Sequence, residues 1–235
     1  SSFERAAHLS PVPLPGGDAA IEHPARTALA HLWAAGVEWN ERLPSVAAVG
    51  DADRTVLLTQ FVRSVQTVPT SSMGRLFDAV ASLTGLRHRV DFEAQAAIEL
   101  QAAADPTALG SYSFGPLAES GAVDAGSVVA SVAADVLDGV PAGVVSTRFH
   151  RAVVNLVVQL ADRLRVTQGL QTVALSGGVF QNALLLEGCI EHLESDGFEV
   201  LWHRDVPTND GGLALGQAAV AASTMKAMKA KRDGV

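Results

Sequence analysis

The sequence predicts an α/β domain with a mainly helical N-terminal half and a parallel βαβα C-terminal half. Three observations carry that expectation. The last hundred residues alternate stretches of helical apolar spacing with two short apolar runs, each followed by a glycine turn. The residues before them carry mostly helical spacing, with extended character confined to the start and to one Gly/Pro/Ser-rich connection. A chain of 235 residues that is 48% hydrophobic and 18% charged can bury a real core, which excludes global disorder.

Charge and cysteine usage narrow the function classes. With 17 basic against 25 acidic residues, a net charge of −8 and no Lys/Arg cluster before the last few positions, no nucleic-acid partner is expected. The single cysteine, Cys189, excludes a disulfide framework and a thiolate metal cluster and fits a reducing, cytoplasmic setting. No apolar run approaches the roughly 18 residues of a membrane span, so no membrane partner is expected. The opening residues, Ser1 to Arg5, have neither an initiator Met nor a signal-peptide pattern, and the chain is expected to be a piece of something longer.

In order, Phe3 to Pro15 reads as extended and closes at Leu14-Pro15-Gly16-Gly17-Asp18, where Asp18 is positioned to cap a helix from Ala19 to Ala35. Between Gly36 and Asp53 there are turn residues and no period. Arg54 to Val68 then spaces Val56, Leu57, Phe61 and Val65 as one apolar stripe. Ser71-Ser72 followed by Leu76, Phe77, Val80 and Leu83 predicts a capped helix over 73–83, ending at Gly85. Further helices are expected over 93–103 and 125–137, separated by a flexible or strand-containing connection at 110–123. A long core helix should span 144–168. Thr172–Leu175 and Glu199–His203 read as strands, 180–194 and 213–228 as helices, which makes the strands a parallel pair joined by a crossover helix. Ligands in such sheets sit beyond the carboxyl ends of the strands, where both glycine turns lie.

Three segments could carry chemistry. In Leu175-Ser176-Gly177-Gly178-Val179-Phe180-Gln181-Asn182, bare backbone between strand and helix lets N–H groups approach an anion, although the same pattern also serves as a plain turn. It is neither a dinucleotide fingerprint nor a P-loop, and Ser176 is not in a nucleophile elbow. In Pro207-Thr208-Asn209-Asp210-Gly211-Gly212, Asp210 either caps the following helix or ligates a cation beside a phosphate. Asp78, among apolar residues of its helix, either accepts from ribose hydroxyls or pairs with Arg75 on the helix surface. The seven histidines include no pair three or four residues apart. His150 reads as a structural or capping residue at the start of a core helix, and Cys189 as a small buried hydrophobe.

The segments SSMGRLFDAVASLTG (71–85), LSGGVFQN (175–182) and VPTNDGGLALGQ (206–217) together resemble the C-terminal, TsaD-like portion of the hydrogenase maturation carbamoyltransferase family HypF. Leu14 to Ala20 and the Phe149-His150 helix start agree with it. The resemblance covers nearly the whole chain and implies the actin/sugar-kinase-like ATPase fold: residues 1–235 would be the C-terminal lobe, 1–143 its mainly helical part and 144–235 its nucleotide-facing βα part. It implies an enzyme that transfers a carbamoyl group from carbamoyl-adenylate, made from carbamoyl phosphate and ATP, to the C-terminal cysteine of a HypE-type partner. On this resemblance Asp78 matches a ribose-binding acid, Gly177 and Gly178 the turn at the nucleotide, Asn182 a nucleotide-contacting amide, and Asp210 a ligand of a divalent metal (Mg, Fe or Zn). No catalytic residue is assigned. Glu93-Ala94 departs from the family's Glu-Gly. The family's metal-binding histidines and phosphate loop, and its N-terminal lobe and domains, lie upstream of the segment seen here, so the isolated chain is expected to be inactive. Two alternatives stand beside this reading: a lobe of a small-molecule O-carbamoyltransferase, and a non-catalytic nucleotide-binding or docking module.

Overall fold

The structure, a computed structural model, describes residues 3–233; the side chains of residues 18, 227 and 229–233 lie outside that description. The extended start forms two short strands, β1 (His8–Leu9) and β2 (Val12–Pro15). A 3-10 turn at Gly17–Ala20 separates them from helix α1 (Pro24–Ala34). That helix starts five residues later than Ala19. Pro24 occupies its first turn, where a missing N–H costs nothing, and the residue before a proline resists helical geometry. His23, not Asp18, therefore stands at the N-cap.

The stretch without a period contains a single-turn helix, α2 (Pro44–Ala47), followed by α3 (Asp51–Arg63). Asp51 and Asp53 favour the start of α3 through the helix dipole, which puts it three residues ahead of Arg54. The expected continuation to Val68 is wrong. Ser64 turns left-handed at φ 51°, and Thr67–Thr70 becomes strand β3, paired antiparallel with β2 from Val12 opposite Thr70 to Pro15 opposite Thr67. Leu57 and Phe61 are buried as expected, but Val56 lies 55% exposed on another face of α3, and Val65, 47% exposed, falls outside the helix, which ends before β3 pairs with β2.

Helix α4 (Met73–Leu83) has the expected bounds, with Ser72 Oγ accepting from the Arg75 N–H at 3.4 Å. Beyond its end, Gly85 takes φ +79° and its N–H bonds to Ser82 O while Leu86 N–H reaches Ala81 O, the paired closure that a left-handed residue allows. Leu76, Phe77, Val80 and Leu83 are fully buried against α1. Phe77 also meets Phe149 edge-on at 4.8 Å, joining α4 to the long helix that follows.

Helix α5 (Gln95–Ala102) opens on Ala94 at φ 61°, a left-handed conformation in which Cβ crowds the carbonyl. The strain is worth about 1 kcal/mol. Ala94→Gly is accordingly expected to raise the melting temperature by about 2–4 °C, the response of a chain this long to that much free energy. An unchanged or lower melting temperature would show that the backbone relaxes when the residue is free to do so.

The Gly/Pro/Ser-rich connection holds a short strand, β4 (Ala122–Val123), parallel to β1. Helices α6 (Gly126–Leu137) and α7 (Ala142–Gln168) follow; Val128, Val132, Val145, Phe149 and Val153 bury them in the same core as α1 and α4. Strand β5 (Thr172–Leu175), helix α8 (Ala183–Ser195) and strand β6 (Glu199–Trp202) form the expected parallel unit, in register from Thr172 opposite Glu199 to Leu175 opposite Trp202. Helix α9 (Leu213–Asp233) closes the described chain. Among the described residues no helix is long and apolar enough to cross a membrane.

Candidate functional site

A cleft of about 770 Å³ opens where the start of α4, the start of α5 and the two turns after β5 and β6 converge. Asp78, Gly178, Asn182 and Asp210 all line it. Gly177 does not; it faces an adjoining hollow of about 650 Å³ between the same turns and α9.

Asp78 is delivered to this wall by α4, whose apolar face is pinned in the core one helical turn away. The expected pair with Arg75 is present, Nη1 lying 2.7 Å from Oδ2, but it is buried rather than on the helix surface. Its angle leaves Nη1 without a formed hydrogen bond. Burial pushes the Asp78 carboxyl up to about 6, against the opposing pull of the Arg75 charge.

Asn182 caps α8, its Oδ1 accepting from Leu185 N–H at 3.1 Å. Its Nδ2 donates to His150 Nε2 at 2.9 Å, and His150 Nδ1–H in turn donates to Ser146 O at 2.8 Å, the tautomer assigned from this network. Burial lowers the His150 pKa, which keeps Nε2 available as an acceptor. His150 is buried and hydrogen-bonded within the fold, in keeping with the structural reading, but sits in the third turn of α7 rather than at its start. The amide of Asn182 thus keeps one N–H for the cleft. Its link to a residue 32 positions away has no local sequence signal.

The turns themselves explain the glycines. Gly177 has φ +100°, closed to ordinary side chains, whereas a Cβ at Gly178 would stand 3.8 Å from Asn209 Cβ, an ordinary contact. The fold needs Gly177; it tolerates a side chain at Gly178, where the added atoms would enter the cleft. At the second turn Asn209 rather than Asp210 is the cap, its Oδ1 accepting from Gly211 N–H at 3.1 Å. Asp210 is exposed, and among the described residues its carboxylate makes no hydrogen bond or ion pair. The capping alternative for Asp210 falls, because its neighbour already does that work; Asn and Asp are near-equal caps, so sequence alone could not choose between them.

Three carboxylates line the cleft: Asp78 is held by Arg75, while Glu93 and Asp210 are exposed, and Asp210 is the one at the turn after β6 that could serve as a hard oxygen ligand. Among the described residues no cluster of three His, Cys, Asp or Glu side chains could hold a metal ion. Cys189 is fully buried, with its thiol pushed up to about 12 by burial, so it offers no thiolate.

A family model described as the second subdomain of the Kae1-like domain of carbamoyltransferases matches residues 1–217. The chain belongs to the HypF carbamoyltransferase family. It is 35% identical over 233 residues to carbamoyltransferase HypF of Synechocystis sp., covering 92% of this chain and 30% of that one. It is 37% identical over 222 residues to carbamoyltransferase HypF of Rhizobium leguminosarum bv. viciae, covering 93% and 28%. Full-length HypF solved in a phosphate- and nucleotide-bound form matches with a TM-score of 0.87 at 39% identity, over 94% of this chain and 35% of that chain. T. kodakarensis HypF shares the fold, with a TM-score of 0.80 at 24% identity over 95% of this chain and 30% of that one. The chain thus spans about a third of the length of these HypF proteins.

Proposed function

We propose that this chain is the nucleotide-facing second lobe of a two-lobed, actin/sugar-kinase-like carbamoyltransferase site, with residues 1–143 its mainly helical part and 144–235 its βα part. The observation that carries the reading is the convergence of a buried acid, Asp78, a side-chain-free turn residue, Gly178, and an exposed carboxylate without a partner among the described residues, Asp210, on one cleft. A HypF solved with phosphate and nucleotide bound supports ATP as the cofactor. The relatives' shared HypF naming favours hydrogenase maturation over small-molecule O-carbamoylation.

In this reading Asp78 accepts from the ribose hydroxyls, and the bare Gly178 backbone lets the nucleotide lie close to the start of α8, where the helix dipole favours negative charge. The Asn182 amide lines the same cleft, and the N–H that His150 does not take is a further donor there. The donor is carbamoyl-adenylate, made from carbamoyl phosphate and ATP. The thiolate of a HypE-type C-terminal cysteine attacks its carbamoyl carbon, a C–S bond forms, the C–O bond to the adenylate breaks, and AMP leaves with the electron pair. A divalent metal, Mg, Fe or Zn, would supply charge neutralisation at the donor oxygens, with Asp210 as one ligand and the others from the preceding lobe. A reducing cytoplasm suits the thiolate acceptor.

The preceding part of the polypeptide is also the natural cover for α9. That helix exposes Leu213, Leu215, Val220, Met225 and Met228, and apolar side chains gathered on one helix mark a surface suited to contact with another part of a protein.

The isolated chain is expected to fold but not to transfer. Incubated with carbamoyl phosphate, ATP, magnesium and a HypE-type acceptor, it should leave the acceptor cysteine unmodified by mass spectrometry while the full-length protein modifies it. Turnover by the isolated chain comparable to that of the full-length protein would overturn the two-lobed reading.

A further inference from the structure

The carboxyl ends of β5 and β6 are joined by more than their own ladder, which stops at Leu175 and Trp202. One residue further on, Ser176 Oγ and His203 Nε2 meet at 2.9 Å. Beyond that, Gly177 N–H donates to Thr208 O at 3.0 Å and the Thr208 hydroxyl donates to Gly177 O at 3.1 Å. Both backbone polar groups of Gly177 are therefore held by one residue of the opposite turn. Gly178 follows Gly177 directly and Asp210 lies two residues after Thr208, with Asn209 Cβ 3.8 Å from where a Cβ on Gly178 would stand.

We propose that Thr208, seconded by the Ser176–His203 pair, is a positioning residue that clasps the two turns together and so fixes the Asp210 carboxylate relative to the nucleotide-facing Gly178. The inference rests on the functional reading above. The Asp210 carboxylate is exposed and makes no hydrogen bond or ion pair among the described residues, so its placement depends on the backbone of its turn. That turn is exposed, and nothing else among the described hydrogen bonds ties residues 207–210 to the glycine turn. Misplacing a reacting group by about 1 Å can cost about a hundredfold in rate, whereas binding contacts elsewhere on the nucleotide survive such a shift. The clasp should therefore act on kcat rather than on the KM for ATP.

The test is made in the full-length protein with carbamoyl phosphate, ATP and a HypE-type acceptor. Thr208→Val, which keeps the shape and removes the hydroxyl, is expected to lower kcat about tenfold or more with the KM for ATP within about twofold, and Thr208→Ser to restore it. Because Thr208 acts through Asp210, the double variant Thr208→Val/Asp210→Asn should be no slower than Asp210→Asn alone. Additive losses, or a Thr208→Val enzyme with the parent kcat, would overturn the clasp. If Thr208→Val does not fold, Ser176→Ala takes its place in the same cycle with the same expected direction. Full activity in Asp210→Asn by itself would instead remove Asp210 from the site, and with it the part of the functional reading on which the clasp rests, whereas loss there with a silent Thr208→Val would sink the clasp alone.

Discussion

Replacing Asp210 by Asn in the full-length protein is expected to reduce carbamoyl transfer about a hundredfold and to lower bound metal, with the melting temperature nearly unchanged. The fold has little stake in this carboxylate. Asn209 already caps the turn, and Asp210 is exposed without a partner among the described residues. A divalent cation, by contrast, needs the charge that an amide lacks, and losing one of a few ligands changes both occupancy and the geometry of the rest. Elemental analysis beside a thermal melt separates the two effects. Full metal content with full activity would remove Asp210 from the site.

Adenosine affinity is expected to rise about tenfold between pH 5 and pH 7 and to level off above. The cause is Asp78, pushed up to about 6 by burial: below that value it is mostly a neutral acid, above it a carboxylate with its full capacity to accept from ribose hydroxyls. Stability runs the other way. A carboxyl whose folded value stands above the ordinary 3.8 contributes fully below 3.8, and that contribution fades as pH rises through 6, by about 3 kcal/mol in all. The free protein thus gives up stability at Asp78 over the same range in which it gains ligand affinity. Adenosine is the ligand of choice because phosphate itself titrates near 6. Calorimetric titration from pH 5 to 8 reads the profile, and Asp78→Asn should flatten it. A parent profile already flat would mean that Asp78 does not meet the ribose.

What was legible in the sequence was whatever a single local pattern decides. The bounds of α4 and of β5 follow from a hydroxyl cap with helical spacing and from a short apolar run before glycines. The parallel βαβ unit follows from their alternation. An element decided by distant pairing was not legible: β3 reads as the tail of α3 until β2 claims it. The late start of α1 is different, because the signal is local: Pro24 suits the first helical turn and disfavours helical geometry in the residue before it, which outweighs the capping offered by Asp18. In the site, the residue types were readable and the division of labour was not. Asn209 and Asp210 are adjacent near-equal caps, and only the structure shows which one accepts from Gly211. The Asn182–His150 and Thr208–Gly177 contacts join residues about thirty positions apart, so no local spacing announces them.

The central claim is that the turn at Gly178 is bare because a nucleotide lies against it. Gly178→Val tests this most directly, since a Cβ there meets only Asn209 Cβ at an ordinary 3.8 Å and the residue has no left-handed backbone to strain. In the full-length protein, calorimetric titration with ATP should show affinity lowered at least about tenfold while the melting temperature stays near that of the parent, because the valine methyls fill space the ligand needs. Unchanged ATP affinity in a well-folded Gly178→Val protein would contradict the account and leave the glycine turn with a structural role only.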